Sequence, residues 1–484
     1  MGIVKKQGVQ NTIISYVGSI IGFLNKIVLF PKVFLIAQVG LLNVLLSVSV
    51  LYAQVSGFGI FNVIIKFYPE YKKEGKSTFL KLILKWLVVG FLFLSSLFLF
   101  FEDYIKDHLF DKAPLLQEYF YWIFPLSFLI LFFEALNSYS RAILKSVFPS
   151  FLKDFVLRLL MFFGIILFYF DLILFDQFLF YFAGTYAFIN VALIVYLFVR
   201  GEFIFTKSAI QKISYKQIFK FGVFVFFAES SALLVSTIDG LMLADYRGLN
   251  DAGVYTTMVF LTSAFLIPYG AISKIVTPII PRLWKENNLK ELQKIYVQVS
   301  NTSFALSAFL FLLILFNLEL LLNFLPEVYS TGAIVFLGIG LSRLIDVFYG
   351  INGVIIVNSK KYMIDLVFVS FLIALTIGTN YFFIPLWGMK GAVFASLISI
   401  LTINLIRGAY LRMTFNLKLF NIKSVLQITF FLLTLFLSFW NPFDSLWLTI
   451  VFRNIVGIVL FIFPYYYFNL APEIKDWVLK RLAR

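Results

Sequence analysis

Apolar runs long enough to cross a bilayer recur from one end of this chain to the other, and no other feature limits its fold as severely. A hydrocarbon layer about 30 Å thick takes roughly 20 residues of helix to cross, and runs of about 18 or more apolar residues mark candidates. Fourteen spans are read this way, at 9–30, 39–65, 79–101, 118–140, 147–170, 177–199, 218–243, 252–278, 297–324, 331–357, 362–384, 389–411, 424–440 and 446–468. Inside lipid every backbone N–H and C=O must be paired within the protein, so these runs are helices. Composition agrees: 61% of the 484 residues are hydrophobic and 13% charged, with a mean hydropathy of +0.95. The expected fold class is an all-α polytopic membrane protein. There is no Cys, which excludes disulfides, thiol catalysis and cysteine metal sites.

The formal charge of +15 does not point to nucleic acid, because the basic residues lie between spans rather than in one patch. With the N-terminus inside, the outer loops hold only Lys32, Lys106, Lys112, Arg247 and Lys390 of the 40 Lys and Arg. The longest outer loop, EDYIKDHLFDKAP, is net acidic, whereas KFYPEYKKEGKSTFLK and GEFIFTKSAIQKISYKQIFK are strongly basic. Lys and Arg favour the cytoplasmic side, so both termini are expected there. The start, MGIVKKQGVQNTIISYVGSIIGFLNK, has a charged front but no small-residue cleavage site, and is read as a retained first span. The segments near Lys72 and Trp284 are either short amphipathic surface helices or solvated charge runs.

The chain carries a repeat. Gly8 precedes span one and Gly40 opens span two, 32 residues on; Gly222 stands in span seven and Gly253 opens span eight, 31 residues on. Pro69 and Pro281 follow at nearly matching distances, in YPEYKKEG and IPRLWKEN. Parallel halves related by an axis along the membrane normal commonly bracket a central path and rock about it. The expected organisation is a six-helix lobe at 1–200, a basic cytoplasmic linker at 201–217, a second six-helix lobe at 218–412, and two accessory helices with a basic tail at 413–484.

No enzyme motif is present: HExxH, GxSxG, Walker A and GxGxxG in a strand–helix setting are all missing. The single His, His108, lies in the acidic outer loop, no loop has room for a catalytic domain, and no metal or cofactor is expected. Charge inside the spans is the positive signal, because it is costly in hydrocarbon and usually kept for function. Lys26 ends a polar stripe of Ser15, Ser19 and Gly22 in span one; it either lines a cavity or snorkels to the interface. Ser47, Ser49, Gln54 and Asn62 in span two read as helix-packing polarity. Glu134 lies deep in span four with Asn137 a turn away and Arg141 at i+7. In span five, Arg158 follows Asp154 at i+4, a spacing that suits either a structural pair or a substrate contact. Glu229 and Asp239 in span seven lie about 15 Å apart along the axis and about 80° apart around it. Arg343 and Asp346 in span ten are i, i+3 and near enough to pair. Arg453 sits well inside span fourteen with no acid in its own helix.

The stretch STIDGLMLADYRGLNDAGVYTTMVFL resembles spans seven and eight of bacterial polysaccharide flippases in the multidrug/oligosaccharidyl-lipid/polysaccharide exporter superfamily. In that family an Asp in span seven is commonly followed by Arg, then by a short turn ending in Gly-x-Tyr. Asp239 and Gly253-Val254-Tyr255 match, whereas Gly240 stands where the Arg is usual. QGVQNTIISYVGSIIGFLNKIVLFPKVFLIAQVGLLNVL and SRAILKSVFPSFLKDFVLRLL resemble the opening and the span four–five region of the same proteins. The resemblance implies two six-helix lobes working by alternating access, with an undecaprenyl-pyrophosphate-type lipid-linked oligosaccharide as substrate. Membrane lipids and polysaccharide assembly proteins are the expected partners. It also implies a role in surface polysaccharide (lipopolysaccharide) biosynthesis at the bacterial inner membrane. Lys26, Arg141, Arg158 and Arg343 could meet the pyrophosphate, and Glu229 or Asp239 could couple to an ion gradient. The competing readings are a cation-coupled multidrug exporter of the same superfamily and a membrane polysaccharide polymerase or ligase.

The absence of Cys makes the topology directly testable. Single cysteines at Lys112 or Arg247 are expected to react with an impermeant maleimide in intact cells, and one at Lys285 only after permeabilisation. Reaction at Lys285 in intact cells would overturn the orientation.

Overall fold

The computed structural model of the chain describes residues 2–71, 76–202 and 215–472. The Lys72 segment from 72 to 75, most of the expected linker (203–214) and the tail KDWVLKRLAR lie outside the described residues. Among the described residues every regular element is helical.

Among the described residues eleven helices are long and apolar enough to span a membrane, and Tyr215–Arg247, bent by 46° between Ser231 and Leu233, makes a twelfth when taken as one span. The two other expected spans take different forms. The run 147–170, which carries Lys153, Asp154 and Arg158, is divided into Val147–Ser150, a π-helical turn Phe151–Val156, and Leu157–Tyr169. The run 424–440 becomes Ile422–Leu437, whose 16 residues reach only about 24 Å. A helix that short is accommodated by local thinning of the bilayer or by the segments flanking it.

The chain divides into two compact units, Met1–Thr256 and Thr257–Arg484. In the first, the helices used below are α1 (Gly2–Phe23), α2 (Ile36–Gly57), α3 (Ile60–Tyr71), α4 (Lys76–Phe100), α5 (Ile123–Ala142), α6 (Leu157–Tyr169), α7 (Phe175–Val199), α8 (Tyr215–Arg247) and α9 (Leu249–Leu261). The core of this unit gathers Ile64, Phe67, Tyr68, Phe79, Leu131 and Leu193 from α3, α4, α5 and α7. Between helices in lipid there is little hydrophobic gain, so association depends on close packing and polar contacts. Span two supplies both where it breaks into α2 and α3. Phe58 and Gly59 there have φ of 43° and 78°, and a Cβ on Gly59 would lie 2.1 Å from the Gly222 carbonyl oxygen. The break is thereby seated on α8, with the Phe58 ring 4.5 Å from that of Phe226.

α1 and the interrupted fifth span form a polar seam. Gln7 Nε2 donates to the Leu144 carbonyl at 2.6 Å, Asn11 Nδ2 to Ser146 Oγ at 3.0 Å, and Ser15 Oγ to Asp154 Oδ2 at 2.6 Å. A Cβ on Gly18 would collide with the Asp154 carbonyl at 1.8 Å, so the two backbones touch. The last turns of span one, Leu24–Leu29, are also π-helical, and Asn25 Nδ2 donates to the Arg158 carbonyl at 2.8 Å.

The second unit is built on α10 (Leu289–Phe316), with α11 (Ala333–Tyr349), α12 (Met363–Trp387), α13 (Met389–Phe415), α14 (Ile422–Leu437) and α15 (Leu446–Tyr467). The Trp284 segment forms the six-residue helix Ile280–Lys285, and Trp284 Nε1 donates to the Ile355 carbonyl at 3.0 Å. The accessory helices dock on α10 and the turn after it. Ser424 Oγ donates to Asn301 Oδ1 at 3.1 Å, and Asn317 and Asn454 exchange amide hydrogen bonds at 3.1 and 3.3 Å. A Cβ on Gly457 would lie 2.2 Å from the Phe316 ring. Arg453, which lacks an acid in its own helix, donates Nε to the Trp440 carbonyl at 3.1 Å and Nη2 to Asn441 Oδ1. It ties α15 to the segment following α14.

Gly457→Leu is therefore expected to lower stability by about 1–3 kcal/mol through overpacking, read as an earlier thermal unfolding midpoint in detergent. Asn454→Ala should cost about 0.6 kcal/mol, as single polar contacts between membrane helices do.

Candidate functional site

A cavity of about 720 Å³ lies within the first unit, between α2, α3, α5, α7, α8 and the π turn of span five. Its walls are largely apolar, from Leu46, Val50, Phe61, Ile130, Phe133 and Leu233. Its polar groups are Gln54, Asn62, Glu134, Arg141, Lys153, Tyr186, Glu229 and Ser236. An apolar pocket of 300–1,000 Å³ with a few convergent polar groups is the usual form of a ligand site. Glu134, Arg141 and Glu229, read from the sequence as path residues, thus come together in one place.

Each charge is held. Asn62 Nδ2 donates to Glu229 Oε1, and Gln54 Nε2 donates to Oε2 at 3.1 Å. Asn62 and Gln54, read from the sequence as packing residues, therefore fix the carboxylate deep in α8. On the opposite wall Lys153 Nζ pairs with Glu134 Oε1, and Asn137 Nδ2 donates to Oε2 at 3.2 Å. Arg141 is exposed and donates Nη2 to Ser138 Oγ at 3.0 Å, which leaves further N–H donors of its fork for a ligand. Lys153 is the residue that sequence reasoning missed. It precedes Asp154 in a span read for its Asp154–Arg158 spacing, whereas its partner lies on another helix.

The other candidates fall elsewhere. Arg158 lies along Gly22, where a Cβ would be 3.1 Å from Nη1. The acid four residues before it, Asp154, accepts from Ser15. Lys26 Nζ is 3.4 Å from Asn43 Oδ1. Asp239 is buried, and Tyr255 Oη donates to its Oδ2 at 2.9 Å. The two motif residues of spans seven and eight are therefore in contact. Gly240 faces Thr256, whose Cγ2 would be 3.0 Å from an added Cβ, so a long side chain in the usual Arg position would meet Thr256.

In the second unit, Asp346 Oδ1 accepts from Asn404 Nδ2 at 3.0 Å, and Asn404 Oδ1 accepts from Asn352 at 2.8 Å. Arg343 lies one turn before Asp346 on α11 and is half-buried. Asp365 of α12 and Arg407 of α13, neither singled out from the sequence, form an ion pair at 2.8 Å. Among the described residues no group of His, Cys, Asp and Glu could hold a metal ion.

No family model matches the chain, and no curated protein matches it in sequence. Solved structures do match. A lipid II flippase, MurJ, in an inward closed conformation superposes with a TM-score of 0.73 at 15% identity, covering 96% of this chain and 99% of its own. A multidrug resistance MATE family transporter of the MOP superfamily, inward-facing, gives 0.65 at 14% identity over 84% of this chain and 98% of its own. An outward-facing MATE family transporter of the same superfamily gives 0.54 at 14% identity over 85% and 96%. The chain has the fold that these flippase and MATE structures share.

The Glu134–Lys153 pair is open to a double-mutant cycle. The double variant Glu134→Gln/Lys153→Met is expected to be destabilised by less than the sum of the two single variants. The coupling should be about 0.2–1 kcal/mol for this partly exposed pair, measured by chemical unfolding in detergent.

Proposed function

We propose that the chain is a flippase that moves a polyprenyl-pyrophosphate-linked oligosaccharide across the cytoplasmic membrane by alternating access, for surface polysaccharide biosynthesis. The observation that carries this reading is the extent of the structural likeness. The flippase structure covers 96% of this chain and the inward-facing MATE structure 84%. The flippase structure thus matches more of the chain than the MATE structure does. A carrier of a lipid-linked substrate has a use for the apolar surface that α14 and α15 add.

The cavity supports the same reading. Arg141 and Lys153 place two cations at its wall for pyrophosphate oxygens, and Arg binds phosphate through paired donors. Glu229, set by Asn62 and Gln54, offers acceptors for sugar hydroxyls. Leu433, Phe436, Val451 and Ile455 of α14 and α15 are exposed and suit a polyprenyl tail. Lys26, Arg158 and Asp239 in the first unit, and Arg343 and Asp346 in the second, complete the proposed path and its coupling groups. The lobes 1–200 and 218–412, cytoplasmic termini, a bacterial inner-membrane location and polysaccharide assembly partners belong to the same proposal. The runner-up is a cation-coupled exporter of small molecules, favoured by two carboxylates, Glu134 and Glu229, lining one cavity.

Vesicles containing the protein and a labelled lipid-linked oligosaccharide are expected to gain outside-accessible label. Arg141→Ala and Lys153→Ala should each slow that gain by about tenfold or more. A rate equal to that of empty vesicles would reject the flippase. Resistance to organic cations on expression, with no flipping, would favour the exporter.

A further inference from the structure

α4 is held to the first unit by little of its surface. Only 17% of the most apolar part of Phe79–Phe100 is buried, against 50% for that of α2. In its first turns a single stripe, Phe79, Ile83 and Leu87, faces the core and is almost wholly buried. Close contact with α2 comes further along. A Cβ on Gly90 would lie 2.2 Å from the Ser56 carbonyl oxygen, and Tyr52 Oη is 2.6 Å from Ser95 Oγ.

An open apolar groove lies on each side of α4. One, of about 340 Å³, separates it from α3, α5 and α7 and is lined by Leu80, Leu84, Leu87, Ala135, Leu136 and Phe198. The other, of about 460 Å³, separates it from the break of span two and from α8. That groove is lined by Lys85, Trp86, Val89, Phe93, Phe58 and Phe219. At 100° per residue, Lys81 and Lys85 share the side of α4 opposite Phe79, Ile83 and Leu87, between the two grooves.

Both lysines are exposed, and neither pairs with an acid among the described residues. A cation left in hydrocarbon is costly. Helical side chains lean toward the N-terminus, which for α4 is the end that the basic residues assign to the cytoplasm. Both ammonium groups can therefore snorkel back to headgroup depth. Lys216 and Lys220 of α8, also exposed, stand on either side of the groove residue Phe219 in sequence.

We propose that this flank binds one anionic phospholipid with two acyl chains. Its phosphate lies between Lys81 and Lys85, and one chain enters each groove. Basic pockets between helices on the cytoplasmic side take anionic headgroups. Two grooves beside one basic ridge match a two-chain lipid, whereas a polyprenyl carrier has a single chain. The chain in the larger groove lies against Phe58 and so backs the break that aims Gln54 and Asn62 at Glu229. The site does not depend on what the cavity carries.

The test is native mass spectrometry of the purified protein in detergent, with phosphatidylglycerol or phosphatidylcholine of equal acyl chains added. One retained phosphatidylglycerol is expected, with phosphatidylcholine bound about tenfold or more less tightly. Lys81→Gln/Lys85→Gln should weaken phosphatidylglycerol binding by about tenfold or more. Lys285→Gln/Lys290→Gln, which removes two exposed lysines elsewhere on the side assigned to the cytoplasm, should leave it unchanged. Both double variants are expected to keep the parent's thermal midpoint without added lipid, because every residue changed is exposed. Equal binding of the two lipids, or equal loss in the two double variants, reduces the site to general attraction and overturns it.

A second arm leaves the protein unaltered and varies the chains. Dihexanoyl phosphatidylglycerol, which keeps the headgroup but shortens both chains, should bind about tenfold or more less tightly, and glycerol phosphate should not compete. Equal binding of the short-chain lipid, or competition by glycerol phosphate, would leave the grooves without a part and overturns the proposal. Displacement of phosphatidylglycerol by undecaprenyl phosphate at equal concentration overturns the two-chain assignment.

Discussion

Close backbone approach is the constraint on which the rest of this structure depends. Lipid is as apolar as the helix surfaces, so helices gain little by hiding from it and hold together where their main chains can touch. Gly18 on Asp154, Gly59 on Gly222, Gly40 beside Leu249 and Gly457 on Phe316 are such places. They set which helices are neighbours, and hence which polar side chains can meet. The cavity exists in its present form because Gly59 and Gly222 bring the break of span two against α8, where Asn62 and Gln54 reach Glu229.

Charge is then tolerated only where a partner satisfies it. Glu134 has Lys153, Asp365 has Arg407, and Arg453 has a carbonyl and an amide oxygen from the segment following α14. The first pair sits on the wall of a cavity and stays partly open to a ligand; the second is less exposed. That contrast is why Glu134 and Lys153 belong to the functional reading and Asp365 and Arg407 to the packing of α12 and α13.

Much of this was legible in the residues. Apolar length gave the helices, and the charged positions in spans four and seven gave three of the groups that line the cavity. What escaped did so for physical reasons. Lys153 was hidden because its partner is nineteen residues away on another helix, and spacing within one helix cannot report that. Arg453 was a puzzle only because the search was for an acid, whereas main-chain oxygen is available at any sequence. The fifth span was taken as one helix because its hydropathy does not register a π turn. The motif of spans seven and eight concealed a contact: Asp239 and Tyr255 are sixteen residues apart, brought together by the turn at Gly248.

The π turns of spans one and five have a consequence for winding. Such a turn holds one residue more than an α turn, an insertion absorbed without breaking the helix. Ser15, Gly18 and Gly22 face the fifth span on α winding. Lys26 lies beyond the onset of the π turn at Leu24 and is swung out of their stripe toward Asn43. Removing a single residue between Leu24 and Leu29 would rewind that segment as α-helix. The side chains on either side of the deletion would then keep their present faces, because the residue removed is the one that the wider turn absorbs. Span one is therefore a helix whose two ends face different neighbours, and the extra residue held in the π turn sets the sequence register between them.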